Sequence, residues 1–321
     1  MPISGPASYL TTTDEFLGHW ESADTTLGVG NELKLKDGSA RAVLQTKKDS
    51  LVVKRAAVQA KLNHQEVARG DIENRKKDLL VRINQFNDKV RFLFGGTKWE
   101  RALPQVPTQT DGQGVFTVPL DDAAALWLMI NDDPAIADIT LLGGYTQAMF
   151  VAEVVAINAA FTTYTTAGKK LDVAIEERND VQDAIYEMLK QYRQAVPTYF
   201  AKGHAILDSL PDLTPAAGST PAAVTANGSY DGTLQKARLN STESTDPNLF
   251  QYEWRFCIGP SYSTDLEALV PGGNIPAGGN REILTDIGLT SPGSVVTFRM
   301  YVITTTGNEK GSNTVTVVRA A

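Results

Sequence analysis

Two long stretches of the chain carry apolar residues at alternating spacings of four and three. This is the period of a helix that packs along its whole length on another helix. The first stretch, about 40–94, contains no proline and one glycine, Gly70, and is followed by Gly95 and Gly96. The second, about 145–195, ends shortly before Pro197. The pattern predicts two helices of similar length, joined by about fifty residues, that form an antiparallel pair.

The large apolar residues at these steps form the predicted packing seam between the two helices. In the first helix the seam comprises Leu44, Leu51, Val58, Leu62, Ile72, Leu79, Ile83, Phe86, Val90 and Leu93, and in the second Phe150, Val154, Ile157, Phe161, Val181, Ile185, Met188 and Tyr192. Near the middle of the first helix the stepped positions are the polar Gln65 and Arg69. We therefore expect loose or hydrated packing there, and Gly70 could mark a kink or a break.

Shorter segments are expected to cover part of this pair. A helix is predicted after an N-cap at Thr13, a second over Leu120–Asn131 and a third over Tyr199–Leu210. The proline-containing connection before Leu120 is expected to be a loop, with one strand at Val115–Val118. Because these pieces are few, we expect part of the seam from Leu44 to Leu93 to remain exposed and to pack on a second copy of the chain.

Beyond residue 210 the pattern changes from a helical period to alternation in twos. Residues 211–221 are rich in proline and alanine and are predicted to be a linker between domains. Alternating apolar residues then recur in short runs separated by glycine- and proline-rich turns: Phe250, Tyr252, Trp254 and Phe256, then Phe298, Met300 and Val302, then Val315 and Val317. This pattern is typical of a β-sandwich.

The segment 286–318 carries a specific resemblance. Its order of features is Leu289, a Pro292–Gly293 corner, an alternating strand over Phe298–Val302, a hairpin with Gly307, then Ser312 and a last strand over Val315–Val317. This order resembles the final strands of a fibronectin type III domain. The resemblance implies a binding or spacer module rather than a catalyst.

The expected fold class is therefore a multidomain α plus β chain. An elongated antiparallel α-helical bundle is predicted over residues 1–210. A proline- and alanine-rich linker is predicted over 211–221, and an immunoglobulin- or fibronectin III-like β-sandwich over 222–321.

Composition and charge narrow the function classes. The 321 residues carry a net charge of −7, and the sequence pI is near 5.1. An acidic chain of this kind is not expected to bind nucleic acid, because nothing offsets repulsion by the phosphates. One cysteine and three histidines leave little material for a metal or an acid–base centre, so we expect no cofactor and no metal site.

No basic region followed by an apolar run opens the chain, so no signal peptide is visible. The apolar stretch 148–161 is short and contains Glu153, so we expect a buried helix rather than a membrane-inserted one. The chain is therefore expected to be soluble. A cytoplasmic location and export by a non-classical route both remain open.

A few single residues suggest chemistry. His64, beside Glu66, could belong to a metal or proton site, but a solvated helix face is the simpler interpretation. Cys257 lies in a predicted strand and is expected to be a buried thiol. Tyr252, Trp254, Tyr262 and Tyr301 could stack on sugar rings, although alternating aromatic residues also build sandwich cores.

These observations favour a non-enzymatic structural or interaction protein. In this hypothesis the helical rod assembles into a homo-oligomer and presents the sandwich to protein partners. The alternative is an adhesion module whose sandwich binds a carbohydrate or a receptor, and carbohydrate is the lesser expectation among the partners. An enzyme ranks third, because the sequence contains no recognisable nucleophile, metal or cofactor motif.

Overall fold

The computed structural model describes residues 2–3, 5–215 and 220–320. Six α-helices precede eight β-strands within these residues. The helices are α1 (Tyr9–Leu27), α2 (Arg41–Phe94), α3 (Lys98–Arg101), α4 (Gln113–Asn131), α5 (Gln147–Tyr199) and α6 (Ala205–Asp208). A helical region followed by a β-sandwich is therefore confirmed, and the two predicted long helices are α2 and α5.

The chain forms two compact units whose boundaries fall inside the two long helices. Unit 1 comprises Met1–Ala60 and Asp172–Ala321, and unit 2 comprises Lys61–Leu171. The predicted division into a helical domain, a linker at 211–221 and a sandwich domain stays a prediction. Residues 216–219 of that linker lie outside the described residues.

In unit 1 the ends of α2 and α5 pack in antiparallel order, together with α1 and α6. Leu44 and Leu51 of α2 share a buried core with Ile185, Met188 and Tyr192 of α5. The indole of Trp20 stacks on the Tyr192 ring with 4.7 Å between centroids.

His19 of α1 is part of the same core and has a partner for each ring nitrogen. Its Nε2 lies 2.9 Å from the carbonyl oxygen of Ile206 and its Nδ1 lies 2.7 Å from the Tyr192 hydroxyl. A carbonyl oxygen can only accept, so Nε2 donates to Ile206 and Nδ1 accepts from Tyr192. This buried histidine therefore fastens α1 to both α5 and α6.

Unit 2 is built around a bundle of three helices. Its core contains Leu79, Ile83, Phe86 and Val90 of α2, Phe116, Leu120 and Trp127 of α4, and Phe150, Val154 and Ile157 of α5. The Trp127 indole stacks on the Phe86 ring at 4.9 Å, and its Nε1 donates to the Ile139 carbonyl at 3.0 Å. The helix α4 thus covers the α2–α5 pair where Leu79 to Val90 pack with Phe150 to Ile157.

The eight strands form two antiparallel sheets: β1 (Ala226–Asp231), β2 (Lys236–Ser241), β3 (Leu249–Ile258), β4 (Ala268–Pro276), β5 (Ile283–Thr285), β6 (Val295–Thr304), β7 (Glu309–Gly311) and β8 (Val315–Val318). One sheet has the order β1-β2-β5 and the other β4-β3-β6-β7, with β8 also paired to β6. Their inner faces share a core that includes Trp254, Phe298 and Leu289. Between β7 and β8 the Ser312 hydroxyl accepts from the backbone N–H of Met300 at 3.0 Å, which bridges the break in the edge.

The predicted seam is almost entirely buried within the chain. Every seam residue of α2 from Leu44 to Val90 is buried, and so are those of α5 except Phe161 and Val181, which are partly buried. Leu93 is the exception, since 46% of its surface is exposed. A straight helix drifts against a seven-residue repeat, and Phe94, one position further on, packs against the core instead.

Because the seam is buried, the expectation that part of it stays exposed and packs on a second copy is wrong. The seam from Leu44 to Val90 does not remain available for a second copy, because its apolar residues are buried within one chain. Gly70 does not interrupt the helix either, since α2 is continuous from Arg41 to Phe94.

Several predicted boundaries are wrong. Val115–Val118 is not a strand but lies in the first turns of α4, because Phe116, Leu120, Ala123 and Trp127 form one buried helical stripe. Burial of that stripe outweighs the hydrogen bond to the Val115 carbonyl that Pro119 cannot make.

The observed ends of α5, α6 and α1 also differ from the predicted ends. The helix α5 continues through Pro197 to Tyr199, since Val196 and Phe200 on either side are buried. The last predicted helix is correspondingly reduced to α6, capped by the His204 side chain. In α1 the Thr13 hydroxyl donates to the Tyr9 carbonyl at 2.6 Å instead of capping, and the N-cap position is Ser8, five residues earlier than predicted.

Removing either of two seam side chains tests the packing of the two cores. We expect Leu79→Ala and Ile185→Ala each to lower the free energy of unfolding by about 2–5 kcal/mol, because each leaves a cavity in a filled core. The control is Val53→Ala on α2, whose side chain is 66% exposed, and we expect it to change stability little. Urea denaturation followed by circular dichroism measures all three, and an unchanged midpoint in Leu79→Ala or Ile185→Ala contradicts the packing described here.

Candidate functional site

The outer face of the five-stranded sheet is unusual because it is buried and charged. Along β3, Tyr252, Trp254 and Phe256 point into the sandwich core, whereas Glu253 and Arg255 point to the opposite face. Such outer positions normally face water. Here Arg255 is 1% exposed and Glu253 is 7% exposed.

Arg255 is the centre of a buried ion cluster made by three carboxylates from separate parts of the sandwich. Its Nη2 lies 2.8 Å from Glu253 Oε2 and 2.6 Å from Glu309 Oε2, and its Nη1 lies 2.8 Å from Glu267 Oε1. The guanidinium also lies over the Tyr301 ring, 4.0 Å from its centroid. Burial by itself lowers the pKa of Arg255, but the three carboxylates more than offset this and raise it above its usual value.

The second oxygen of Glu267 is also fully used. The hydroxyls of Tyr262 and Tyr301 donate to Glu267 Oε2 at 2.7 and 2.9 Å. Burial, followed by the charge of Glu267, raises the pKa of Tyr301 to about 12 and raises that of Tyr262 above its ordinary value. Both phenols therefore remain neutral donors at physiological pH.

Helical residues of unit 1 complete the surroundings of this cluster. Arg178 of α5 donates to the backbone carbonyl of Asp265, two residues before Glu267. Arg55 of α2 is close enough to Glu267 and Arg255 for their charges to affect it, and burial is the main cause that lowers its pKa to about 10. Its guanidinium donates to the carbonyl of Pro6, which also accepts from Gln182.

The amino-terminal segment approaches the same edge of the sheet. A Cβ on Gly5 would lie 3.6 Å from Glu309 Oε1, and a Cβ on Gly307 would clash with the Pro2 ring. The outer sheet face is thus joined to the helices of unit 1 by long polar side chains and by the segment around Pro6. The ion pairs of the cluster join residues of the sandwich to one another, and Arg178 is the helical side chain that bonds to the sandwich backbone beside it.

A different surface in unit 2 exposes a group of apolar side chains, next to the exposed Asp121 and Asp122 of α4. We call it the α4–α5 face and define it by Val118, Leu128 and Met129 of α4 and by Val151, Val155 and Ala159 of α5, all of which are exposed. Gln113 Nε2 of α4 lies 3.3 Å from Asn158 Oδ1, and Gln147 Nε2 of α5 lies 3.3 Å from the Ala124 carbonyl. These two bonds show that the helices lie side by side in antiparallel order.

The α5 part of this face has a helical repeat of its own. Ala148, Ala152, Val155 and Ala159 are exposed and follow one another at spacings of four, three and four. Between Gln147 and Gly168, α5 carries one charged residue, Glu153, which lies off this row. The row is therefore a second heptad stripe, out of phase with the buried seam.

The same part of α5 is long and apolar enough to span a membrane by length and composition. Its 18-residue window has a mean hydropathy of 1.3, and 22% of that window is buried inside the protein. However, its inner side packs on α2, whose opposite face exposes Lys77, Asp78, Asp88, Lys89 and Arg91. Insertion of this unit would carry those charges into lipid.

The four aromatic residues considered for sugar binding do not form an exposed platform. Tyr252 and Trp254 are fully buried in the sandwich core, and Tyr301 is buried beside Arg255. Tyr262 is half-buried, with its hydroxyl on Glu267. The two faces of β3 and β6 separate the first pair from the second, so the expectation of a common carbohydrate site on these residues is corrected.

The remaining candidate residues are placed as follows. Cys257 is buried, its thiol donates to the Ser263 carbonyl at 3.1 Å, and burial raises its pKa to about 11, as suits an unreactive thiol. His64 is exposed on α2. Within the described ranges no group of three or more His, Cys, Asp or Glu side chains is arranged to hold a metal ion.

Replacing the central arginine tests the ion cluster. We expect Arg255→Ala to lower the free energy of unfolding by about 3–5 kcal/mol, because it leaves three buried carboxylates without their cation. The matched control is Arg238→Ala, which breaks exposed ion pairs to Asp231 and Glu282 and should cost less than about 1 kcal/mol. Equal losses of stability in the two variants, measured by urea denaturation, would contradict the structural role of the cluster.

Comparisons with known proteins bear on the sandwich alone. No protein-family model matches the chain, and no curated protein matches it. Among solved structures, the chain is similar to an Fn3-like protein from Clostridium thermocellum, with 15% identity and a TM-score of 0.25, over 31% of this chain and 93% of that one. The similarity covers the carboxy-terminal third, which is a β-sandwich of two sheets, and the helical region has no match.

Proposed function

We propose that this chain is a non-enzymatic structural protein that self-associates through the α4–α5 face and presents its β-sandwich to protein partners. The observation that carries the proposal is the uncharged, exposed stripe of α5. The most apolar segment of the chain is directed outward there, although the rest of the same helix buries its seam. A surface of this kind is typical of an interaction site.

A second copy of the chain is the occupant that fits this face best. The α5 stripe has no charge with which a polar partner could pair, whereas two copies related by a two-fold axis can bring their α5 stripes together with Asp121 and Asp122 of α4 at the margin of the contact. Alanines at the four–three spacing also permit two helix backbones to approach closely. A bilayer is the less suitable occupant, because the exposed face of α2 in the same unit is charged.

The size of the face sets the expected strength of association. The helix α4 has 19 residues, and two neighbouring helices of that length present about 28 Å by about 20 Å, or roughly 600 Å² per copy. A symmetric contact would therefore bury about 1,200 Å² in total, which is the lower end of the range for specific interfaces. We accordingly expect a reversible, concentration-dependent oligomer.

The bond from Arg178 of α5 to the Asp265 carbonyl, beside the ion cluster of Arg255, supports the second half of the proposal. A sandwich that is fixed on the helices of its unit is displayed in one orientation rather than on a flexible tether. This suits a spacer or docking module. The alternative is sugar binding by the aromatic residues of the sandwich. The structure does not support it, because Tyr252, Trp254 and Tyr301 are buried and Tyr262 is half-buried.

Light scattering across a hundredfold dilution, with one substitution in the face, tests the assembly. We expect the mass of the wild-type chain to rise with concentration and that of Val155→Glu to stay monomeric, because a buried, unpaired carboxylate opposes the contact. Val53→Glu places the same charge on an exposed site of α2 and should behave like wild type. A strictly monomeric wild type at the highest concentration overturns the proposal, and association of Val155→Glu equal to wild type overturns the choice of surface.

A further inference from the structure

A cleft lies between α2 and α5 in unit 2, outside the α4–α5 face. It has a volume of about 410 Å³ and is lined by Lys61, His64, Thr162, Thr163, Thr166, Ala167 and Lys170. This volume lies within the usual range for small-molecule sites. The cleft also coincides with the polar middle of the helical pair, where the sequence predicts loose packing.

The cleft exists because the helices come close there without large side chains to fill the gap. On α2 the buried seam is interrupted between Leu62 and Ile72 except for the small Ala68. On α5 the corresponding position is Gly168, where an added Cβ would lie 3.0 Å from Gln65 Nε2. Glycine therefore permits the close approach and leaves open space beside it.

The charge of the lining is opposite to that of the whole protein. Two lysines and a histidine line the cleft and no carboxylate does, although the chain has a net charge of −7. Many other cations of the helices have an acidic partner, as Lys54 does in Glu177. Within the described residues neither Lys61 nor Lys170 forms an ion pair.

The threonine hydroxyls add a donor to this basic lining. Thr162 and Thr163 donate to the carbonyls of Asn158 and Ala159 in their own helix, at 3.1 and 2.9 Å. The Thr166 hydroxyl has no hydrogen-bond partner among the residues that the structure describes. It can therefore donate to a bound acceptor, as can an N–H of the His64 ring.

We propose that this cleft binds a small polyanion that carries carboxylate or phosphate groups. Lys61 and Lys170, from opposite helices, supply the charge. Thr166 and His64 supply hydrogen bonds to the oxygens. Bringing two ammonium groups to one cleft without a carboxylate is unfavourable in the free protein, and a bound anion relieves this repulsion. The site is separate from the proposed self-association, since it uses neither Val151 nor Val155.

Isothermal titration calorimetry of the full chain with citrate, and separately with pyrophosphate, tests the site. We expect each anion to bind once per chain, with an affinity that falls as salt is added because the attraction is screened. The double variant Lys61→Gln/Lys170→Gln should bind about tenfold more weakly or worse, since each lysine contributes direct attraction. Thr166→Val should also weaken binding, through the loss of its hydroxyl alone.

The control variant is Lys77→Gln/Lys169→Gln, which removes the same two charges from exposed positions of the same helices that do not line the cleft. It should bind like wild type. Absence of binding at millimolar anion overturns the proposal, as does equal weakening in the two double variants, which would show only a general effect of net charge. A preference for citrate or for pyrophosphate identifies carboxylate or phosphate as the favoured group.

Discussion

A helix of more than fifty residues can hide a continuous apolar stripe only against another helix of matching length. The fold of the amino-terminal two-thirds follows from this constraint, which α2 and α5 satisfy for each other in antiparallel order. The two long helices leave sides of the seam open, and α1 and α6 in unit 1 and α4 in unit 2 cover them. Apolar side chains outside the buried seam are exposed at several places on α2 and α5. The stripe at Ala148, Ala152, Val155 and Ala159 differs from the others because it lies in a segment with only one charged residue, Glu153, and it is therefore the candidate for contacts between copies.

The sandwich also has a second face to cover, and there the buried residues are charged. Its five-stranded sheet buries one face in its own core and the other beneath polar groups, so Arg255 and three glutamates share a site with little water. A buried ion cluster adds little net stability compared with apolar packing. It tolerates little change in geometry, however, because a buried charge that loses its partner lowers the free energy of unfolding. This cluster therefore fixes β3, the segment around Glu267 and β7 relative to one another, and Arg178 of α5 bonds to the backbone of the same region.

Much of the helical region could be predicted because its signal is long and repetitive. The ends of α2 were predictable to within a residue, since helical period and terminal glycines agree there. The first turns of α4 were not, because Val115–Val118 favours a strand locally and only burial of Phe116 and Trp127 against α2 and α5 decides for a helix. Pro197 likewise suggested that α5 ends before it, whereas the helix continues to Tyr199. Local preference is weak where tertiary packing supplies more free energy.

The functional surfaces were harder to predict than the fold. Glu267 and Glu309 lie 12 and 54 residues from Arg255 in sequence. The alternation of Glu253 and Arg255 with apolar residues on β3 normally indicates a solvent-exposed face, so no local pattern predicts the cluster. The exposed α5 stripe does have a signal, a second four–three row in a different phase, which is visible once the first row has been assigned to the core. At the position of the cleft between Lys61 and Lys170 the sequence predicted only loose packing. The positive charge of the cleft could not be predicted, because it depends on which faces of α2 and α5 meet.

The central claim is that two copies meet through the α5 stripe, and cysteine cross-linking reports it directly. A Val155→Cys variant placed near a two-fold axis should form a disulfide-linked dimer under mild oxidation, because each Val155 would then lie close to its own copy. Val53→Cys, exposed on α2, should stay uncross-linked, and the native Cys257 is buried and does not interfere. Dimer formation that is equal in both variants, or absent from both, would contradict the account.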